Sequence, residues 1–263
     1  MKKAFFPIFL LATIFFLGCT KPSTLTIYMV GDSTMADYPD TLATPVRGWG
    51  QVLPTFLSET TKVRNHAKDG RSTKSFLAEG RWDKVMKKIG KGDVVVIQFG
   101  HNDALEGLPA LFSTPQEYGE NLRTMIRQAK MAGAFPIVCT PIASRLFIND
   151  SLQYILGDYP AEAKKTAERE NVPLVDLTTI TMEWLNDLGD EESKPYFVYR
   201  IEPGEYKWYP KGKYDNNHLR LKGAVAVAKL FSEAILKQDI KPLSEHIDLE
   251  DNSIKYTKLC KID

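Results

Sequence analysis

The chain has 263 residues, of which 43% are hydrophobic and 25% are charged, a composition typical of a globular protein. This length fits one α/β domain with a sizeable core. The formal net charge is +1 at pH 7, and a near-neutral protein is a poor match for nucleic acid as the main partner.

The N-terminus predicts export. Two lysines precede an apolar run that ends at Leu17-Gly18-Cys19, which is the layout of a secretory signal peptide. The run is also near the lower length limit for a membrane span. The ending favours a third interpretation, because it resembles a bacterial lipoprotein signal in which the cysteine is lipidated. We therefore expect removal of residues 1–18, lipidation of Cys19, and a mature net charge near −1, since the removed segment holds two lysines and no acid.

The elements that follow alternate between strands and helices. Apolar runs predict strands at 25–30, 61–65, 93–99, 135–139 and 172–176. Helical patterns follow at 82–89, 115–132, 161–170, 181–188 and 223–237, with a shorter helix inside 47–57. Such alternation predicts a three-layer α/β/α sandwich with a five-stranded parallel, flavodoxin-like sheet. Residues 190–214 are expected to form a long irregular loop, either functional or inserted.

The first strand ends in Gly31-Asp32-Ser33. Gly31 permits a tight turn, Asp32 is expected to shape that turn, and Ser33 comes to the rim of the sheet, where open α/β folds bind ligands. On its own the tripeptide equally fits a strand-to-helix turn with an N-capping side chain.

Two further polar loops follow predicted strands, one with Gly70 and one with His101 and Asn102. Because the carboxyl ends of parallel strands meet at one edge, Ser33, Gly70 and Asn102 should lie together. Ester hydrolysis uses such a set: a serine attacks the carbonyl, and a backbone N–H and an amide stabilise the oxyanion.

The serine also needs a base. His218 has a carboxylate three residues upstream, Asp215, and residues so spaced on a turn share a side, so Asp215 can hold Nδ1–H and leave Nε2 for Ser33. The same pattern fits a helix N-terminal turn with a solvated histidine. His66 and His101 also fall near the rim and compete as bases, whereas His246 is expected at the surface.

Together these stretches resemble the SGNH (GDSL-type) hydrolase superfamily. The resemblance is closer to the rhamnogalacturonan acetylesterase family (carbohydrate esterase family 12) and covers about residues 25–237. The superfamily blocks are Gly31-Asp32-Ser33, Gly70, Gly100-His101-Asn102-Asp103 and Asp215-Asn216-Asn217-His218. The closer family resemblance is carried by Arg47-Gly48-Trp49-Gly50-Gln51, Asn65-His66-Ala67, Gly70-Arg71-Ser72-Thr73-Lys74-Ser75-Phe76, Glu79-Gly80-Arg81-Trp82-Asp83 and Phe99-Gly100-His101-Asn102-Asp103.

The resemblance implies residue roles. Ser33 is the nucleophile, His218 the base and Asp215 its orienting carboxylate. The oxyanion hole comprises the N–H groups of Ser33 and Gly70 with the Asn102 side chain, and no metal or other cofactor is required. Substrate contacts are expected at four further residues: Arg71, His101, Trp208 and Tyr209. One departure is Asp69, where many relatives carry a smaller or neutral residue, and a carboxylate there opposes an anionic substrate.

The resulting hypothesis is a carbohydrate O-acetylesterase acting on rhamnogalacturonan, a pectic polymer. Alternatives are an acetylxylan or other polysaccharide deacetylase, a lysophospholipase or thioesterase of the same superfamily, and a sugar-binding lipoprotein without activity. The expected organisation is signal 1–18, linker 19–24, hydrolase domain 25–240 and C-terminal extension 241–263. We expect a monomer anchored by its lipid, facing the periplasm or the cell surface.

Two cysteines remain, Cys139 in a predicted buried strand and Cys260 near the C-terminus. An oxidising compartment permits a disulfide between them, whereas a cysteine in a buried strand usually just packs. The sequence leaves both interpretations open. No Cys/His cluster has zinc-ligand spacing.

Overall fold

A computed structural model of the chain describes residues 24–39 and 44–249. The strands are β1 (Leu25–Gly31), β2 (Thr61–Asn65), β3 (Val94–Gln98), β4 (Phe135–Cys139), β5 (Phe147–Ile148), β6 (Ser151–Leu152), β7 (Leu174–Val175), β8 (Arg200–Ile201) and β9 (Lys213–Tyr214). The helices are α1 (Trp49–Val52), α2 (Thr73–Ala78), α3 (Arg81–Met86), α4 (Pro115–Met131), α5 (Tyr159–Arg169), α6 (Leu177–Ser193) and α7 (Leu221–Lys237). The predicted signal peptide, Cys19 and Cys260 lie outside the described residues.

Five strands form one parallel sheet in the order β2-β1-β3-β4-β7. The register places Met29 of β1 between Asn65 of β2 and Val96 of β3. The prediction of a five-stranded parallel sheet in an α/β fold is therefore confirmed, and the order is that of flavodoxin-like folds.

Alternate residues of β1 pack on opposite faces of the sheet, as the strand period of two requires. Ile27 and Met29 join an apolar cluster formed with α1, α6 and α7. Tyr28 and Val30 join a second cluster formed with α4 and α5. The sheet is thus covered on both sides, which explains why its central strands read as continuous apolar runs.

The segment 190–214 was expected to be irregular, and that expectation was wrong in part. Helix α6 continues to Ser193, across a break at Gly189 where φ is +73°. A short turn, Lys194–Tyr196, follows, and β8 pairs antiparallel with β9. Two-residue strands carry almost no sequence signal, because tertiary pairing rather than local pattern defines them.

The residues after 240, predicted as an extension, pack onto the domain as far as the structure describes them. Ile247 forms an antiparallel bridge with Leu57, and the Ser58 N–H donates to His246 O at 2.9 Å. His246 is half-buried, and its Nδ1 lies 3.2 Å from Thr61 Oγ1, so it is not the simple surface residue that was expected.

Among the helices within residues 24–39 and 44–249, none is long and apolar enough to cross a membrane.

Candidate active site

The carboxyl ends of the central strands bring three loops together. The loop after β2 bonds to the end of β1, where the Lys68 N–H donates to Gly31 O at 2.9 Å. The loop after β3 joins them, because Asn102 Nδ2 donates to Arg71 O at 3.1 Å. Ser33 follows Gly31 by two residues, so the serine and the Asn102 amide lie at the same edge of the sheet.

The turn that carries Ser33 is built by close packing. A Cβ on Gly31 would lie 2.5 Å from Gln98 O. The glycine is therefore required by the approach of β3, not by a left-handed turn. Asp32 is buried, and its Oδ1 accepts from the Thr34 N–H at 3.0 Å and the Thr34 hydroxyl at 2.8 Å. Within the described residues the Ser33 hydroxyl makes no hydrogen bond, so both its proton and its lone pairs are available.

Asp215 and His218 form a hydrogen-bonded pair on the turn before α7. His218 Nδ1 lies 2.7 Å from Asp215 Oδ2, and the other carboxylate oxygen accepts from the His218 N–H at 2.9 Å. A carboxylate can only accept, so Nδ1 carries the proton and Nε2 of the neutral ring is left as an acceptor. The side chain of Asp215 is 7% exposed and that of His218 is 24% exposed, which leaves the ring accessible from the surface.

Two cations surround this pair. Lys213 Nζ lies 2.6 Å from Asp215 Oδ2. Burial favours a raised pKa for Asp215, but hydrogen bonds and charge from His218 and Lys213 outweigh it and hold the pKa below its usual value. Arg145 fixes the same turn, since its N–H donates to Asn216 O at 2.7 Å and its Nη1 donates to Asn216 Oδ1 at 3.2 Å. The carboxylate therefore stays ionised and positioned.

Gly70 follows Asp69, whose Oδ1 lies 3.9 Å from His218 Nε2, and Asn102 lies in the adjoining loop. Gly70 has a φ of +70°, and no atom lies within 4 Å of where its Cβ would be, so its backbone is open to a ligand. The neighbouring Asp103 is buried and accepts from the Thr73 N–H at 3.1 Å and from the Thr73 hydroxyl. Burial raises the pKa of Asp103 to about 7. Through Asp103, the start of α2 is tied to the loop that holds Asn102.

The competing histidines have different surroundings. His66 stacks on Tyr28 at 6.0 Å between ring centroids, and burial together with Lys88 and Arg64 lowers its pKa. His101 Nε2 is buried and has no hydrogen-bond partner among the described residues. Burial lowers the pKa of His101, opposed by the charge of the buried Asp32. Neither ring has the carboxylate partner that Asp215 gives His218, and a buried Nε2 fits an internal position better than a polymer contact.

Arg71, which was expected to contact substrate, is paired with an acid, and two other arginines are paired as well. Arg71 Nε lies 3.2 Å from Glu79 Oε1, and Arg81 pairs with the same carboxylate. Arg145 is 1% exposed and pairs with Asp190. Its guanidinium is therefore an internal support and does not border an exposed surface.

The aromatic candidates differ from each other. Trp208 is 61% exposed and free to meet a sugar ring. Tyr209 is half-buried, its hydroxyl lies 3.4 Å from Thr44 Oγ1, and Lys213 Nζ sits 5.0 Å from its ring centroid. Tyr209 therefore supports the lysine that pairs with Asp215.

Two contacts were missed from the sequence. Lys213 precedes Asp215 by two residues, and residues so spaced on a strand share a face, so the pairing had a readable signal. Asp69 Oδ1 lies 3.9 Å from His218 Nε2. The sequence marked Asp69 as a departure, but nothing local indicated which side chain it would face.

Cys139 is a buried free thiol, and burial raises its pKa. Within the described ranges, no group of three or more His, Cys, Asp or Glu side chains is arranged to hold a metal ion.

Comparison with known proteins adds independent information. The model of the GDSL-like lipase/acylhydrolase family matches residues 29–223, a span that includes Ser33, Asp215 and His218. The chain is 40% identical to rhamnogalacturonan acetylesterase RhgT of Bacillus subtilis over 222 residues, covering 84% of this chain and 93% of that protein. It is 26% identical over 240 residues to the rhamnogalacturonan acetylesterase of Emericella nidulans, covering 82% of this chain and 87% of that protein.

Solved structures agree on the fold. The crystal structure of YxiM from Bacillus subtilis superposes with a TM-score of 0.70 at 29% identity, over 83% of this chain but only 58% of that one. The acetylxylan esterase Axe2 of Geobacillus stearothermophilus superposes with a TM-score of 0.57 at 20% identity, over 82% and 94%. At that identity Axe2 supports the fold alone.

Proposed function

This chain belongs to the GDSL-like lipase/acylhydrolase family, and on that premise we propose that it removes acetyl groups from rhamnogalacturonan, a pectic polysaccharide, by serine catalysis. The observation that carries the chemistry is the Asp215–His218 pair with Nε2 left as an acceptor. The substrate rests on the relatives: two similar proteins bear the name rhamnogalacturonan acetylesterase.

In the first half-reaction, Ser33 Oγ attacks the acetyl carbonyl carbon while its proton passes to His218 Nε2. The carbonyl oxygen becomes an oxyanion, which accepts from the N–H groups of Ser33 and Gly70 and from the Asn102 amide. The tetrahedral intermediate then collapses. The bond between the acetyl carbonyl carbon and the sugar oxygen breaks, and the sugar oxygen takes the proton from His218 Nε2.

In the second half-reaction, water attacks the acetyl-serine ester and gives a proton to His218 Nε2. Collapse releases acetate, and the proton returns to Ser33 Oγ. Asp215 keeps the imidazole in one tautomer through both steps and stabilises its positive charge. No step requires a metal, so chelators should leave the rate unchanged.

The test is acetate release from acetylated rhamnogalacturonan, acetylated xylan and acetylated glucomannan, with the Ser33→Ala variant as the blank. We expect the highest kcat/KM on rhamnogalacturonan. The preference should shrink as ionic strength rises, since screening weakens exposed charge pairs. Equal rates on neutral and anionic polymers at low salt would remove the pectic assignment and leave a general carbohydrate acetylesterase.

The lipase-like alternative has its own assay. Hydrolysis of p-nitrophenyl acetate is compared with that of p-nitrophenyl octanoate under the same conditions. We expect acetate to be preferred. Preference for the longer acyl chain would favour a lysophospholipase or thioesterase instead.

We also propose that the protein is a monomeric lipoprotein anchored at Cys19, facing the periplasm or the cell surface. The support is the sequence Leu17-Gly18-Cys19 after an apolar run. Labelled palmitate should enter the wild-type chain and not the Cys19→Ser variant. Equal labelling of both chains, or of neither, would remove the proposal.

A further inference from the structure

An open groove of about 530 Å³ lies beside the β8–β9 hairpin. Here it is named the cationic groove, and six residues line it: Lys194, Pro195, Phe197, Tyr199, Arg200 and Arg220. Three of the six carry positive charge and none carries negative charge, which sets the groove apart from the mixed charge of an ordinary protein surface.

Arg220 is the groove cation that has no acidic partner among the described residues. Its Nε donates to Phe197 O at 3.1 Å, its Nη2 to Arg200 O at 3.3 Å and its Nη1 to Tyr206 Oη at 3.5 Å. All three acceptors are uncharged. Among the described residues no carboxylate pairs with Arg220, so its charge is held in place but not neutralised.

The other two cations have exposed partners. Lys194 pairs with Glu191, whose side chain is 79% exposed, and Arg200 pairs with Glu202, which is 58% exposed. Exposed pairs are weak and exchange readily with other anions. Three positive side chains are thus offset by two carboxylates, Glu191 and Glu202, and the groove keeps a net positive charge.

The groove also has a firm apolar wall. The Tyr199 ring meets Tyr214 edge to face at 6.0 Å, and the Arg145 guanidinium lies 4.1 Å from its centroid. Phe197 also lines the groove but is only 1% exposed, so the half-buried Tyr199 ring provides the apolar surface. A wall of this kind suits the C–H faces of a sugar ring, while the cations suit an acid group on that ring.

The groove is one strand away from the catalytic pair. The Val198 N–H donates to His218 O at 2.9 Å, and the Asp215 N–H donates to Tyr199 O at 3.3 Å. The segment that lines the groove therefore hydrogen-bonds to the segment that carries Asp215 and His218.

We propose that the cationic groove is a subsite for a uronic acid residue of the polysaccharide, remote from the residue that loses its acetyl group. The inference rests on the proposed function and adds where the charged sugar binds. Arg220 presents the planar, multiple-donor group that recognises carboxylates, and Lys194 and Arg200 add charge.

The test measures binding of unacetylated trigalacturonate by calorimetry, with the neutral xylotriose for comparison. The groove variant is Lys194→Gln with Arg200→Gln, since both side chains are exposed enough to change without disturbing the fold. We expect wild type to bind trigalacturonate in preference to xylotriose, and the groove variant to bind trigalacturonate about five- to twenty-fold more weakly. For the groove variant, kcat/KM on acetylated rhamnogalacturonan should fall because KM rises, while kcat stays the same. Its rate of p-nitrophenyl acetate hydrolysis should equal that of wild type.

The matched control is Arg123→Gln with Lys229→Gln, which removes the same charge from exposed ion pairs on α4 and α7. It should bind as wild type does. Absence of trigalacturonate binding to wild type, equal affinity in the groove variant, or an equal loss in the control would each overturn the subsite. Because the binding assay involves no catalysis, failure of acetate release from rhamnogalacturonan is a separate result that bears on the proposed function alone.

Arg220→Gln is the direct variant, but it also removes bonds that hold β8, so its thermal unfolding must be measured beside its binding. If Arg220→Gln melts as wild type does, it should weaken trigalacturonate binding at least as much as the double variant. Unchanged binding in a folded Arg220→Gln variant would also contradict the subsite.

Discussion

Asp69 Oδ1 lies 3.9 Å from His218 Nε2, on the opposite side of the imidazole from Asp215. Nε2 is the nitrogen that receives the serine proton and returns it to the leaving sugar oxygen. The leaving oxygen must approach within hydrogen-bond distance of Nε2, so it also comes close to Asp69. The imidazolium and the leaving sugar therefore both form under the influence of a second carboxylate, which is 58% exposed.

Replacing Asp69 with Asn should change the enzyme in two directions. Loss of the charge withdraws stabilisation from the imidazolium, so kcat on p-nitrophenyl acetate should fall about two- to five-fold, an effect kept small by solvent screening. Loss of the same charge removes repulsion of an acidic polymer, so the ratio of kcat/KM on acetylated rhamnogalacturonan to that on acetylated xylan should rise. The exposed Asp187→Asn serves as control, and an unchanged ratio in Asp69→Asn would show that Asp69 does not face substrate.

Removal of the nucleophile should give the largest loss of activity. Ser33→Ala should lower kcat by about 10⁴–10⁶ while thermal unfolding stays as in wild type. Asn102→Ala removes one oxyanion donor and should cost roughly 10²–10³. A Ser33→Ala variant with a tenth of wild-type activity would rule out Ser33 as nucleophile.

The three rim histidines can be separated by substitution. His218→Ala should abolish activity, because it removes the base that Asp215 orients. His66→Ala and His101→Ala should retain activity, since His66 stacks on Tyr28 and His101 Nε2 is buried without a partner. An inactive, folded His66 variant beside an active His218 variant would reverse the assignment.

Asp103 predicts a pH dependence of stability. Its pKa is about 7 when folded and about 3.9 when unfolded. Between these values the folded state binds more protons, so the group's contribution is fully present below pH 4 and is lost as pH rises to 7. The Asp103→Asn variant lacks this titration. Between pH 4 and pH 7 the free energy of unfolding in urea should therefore fall less for the variant than for wild type, and the two decreases should differ by up to roughly 4 kcal/mol. Parallel curves for the two proteins would contradict the raised pKa.

Arg145 should behave as a support and not as a substrate contact. Arg145→Met removes a buried guanidinium that pairs with Asp190 and holds Asn216. Loss of one partner of a buried pair costs about 3–5 kcal/mol, and because Asp190 is 30% exposed we expect roughly 2–4 kcal/mol by urea unfolding. Arg123→Met, which breaks an exposed pair on α4, should cost below about 1 kcal/mol. Equal losses in the two variants would show that Arg145 is not a buried support.

The sequence was most informative where a local pattern has a single physical meaning. The β-branched apolar run Val94–Ile97 favoured a strand buried on both faces, and the structure has that strand. The three-residue spacing of Asp215 and His218 put both side chains on one side of a turn, and the structure has them hydrogen-bonded.

The rest depended on distant contacts. In the sequence Arg145 looks like a charged residue of an exposed loop. It is buried only because α6 and the turn at Asn216 pack against it. Helix α2 has six residues, fewer than two full turns, so it is too short to show a repeating apolar pattern. Its start is set by Ser72, whose side chain accepts from the Ser75 N–H. The β8–β9 pairing exists only once the hairpin closes, so the cationic groove had no local signature.

The direction of β1 also determines which end of the domain would face a membrane if the chain is anchored at its N-terminus. The strand runs from Leu25 to Gly31 at about 3.3 Å per residue, so Leu25 and the catalytic edge are about 20 Å apart at opposite ends of the sheet. Cys19 precedes Leu25 by six residues. If Cys19 carries a lipid, as proposed, the anchor would join the domain at the end opposite Ser33. The bilayer would then lie behind the enzyme, and the catalytic edge would face outward, where a polymer too large to enter the lipid headgroups can reach it.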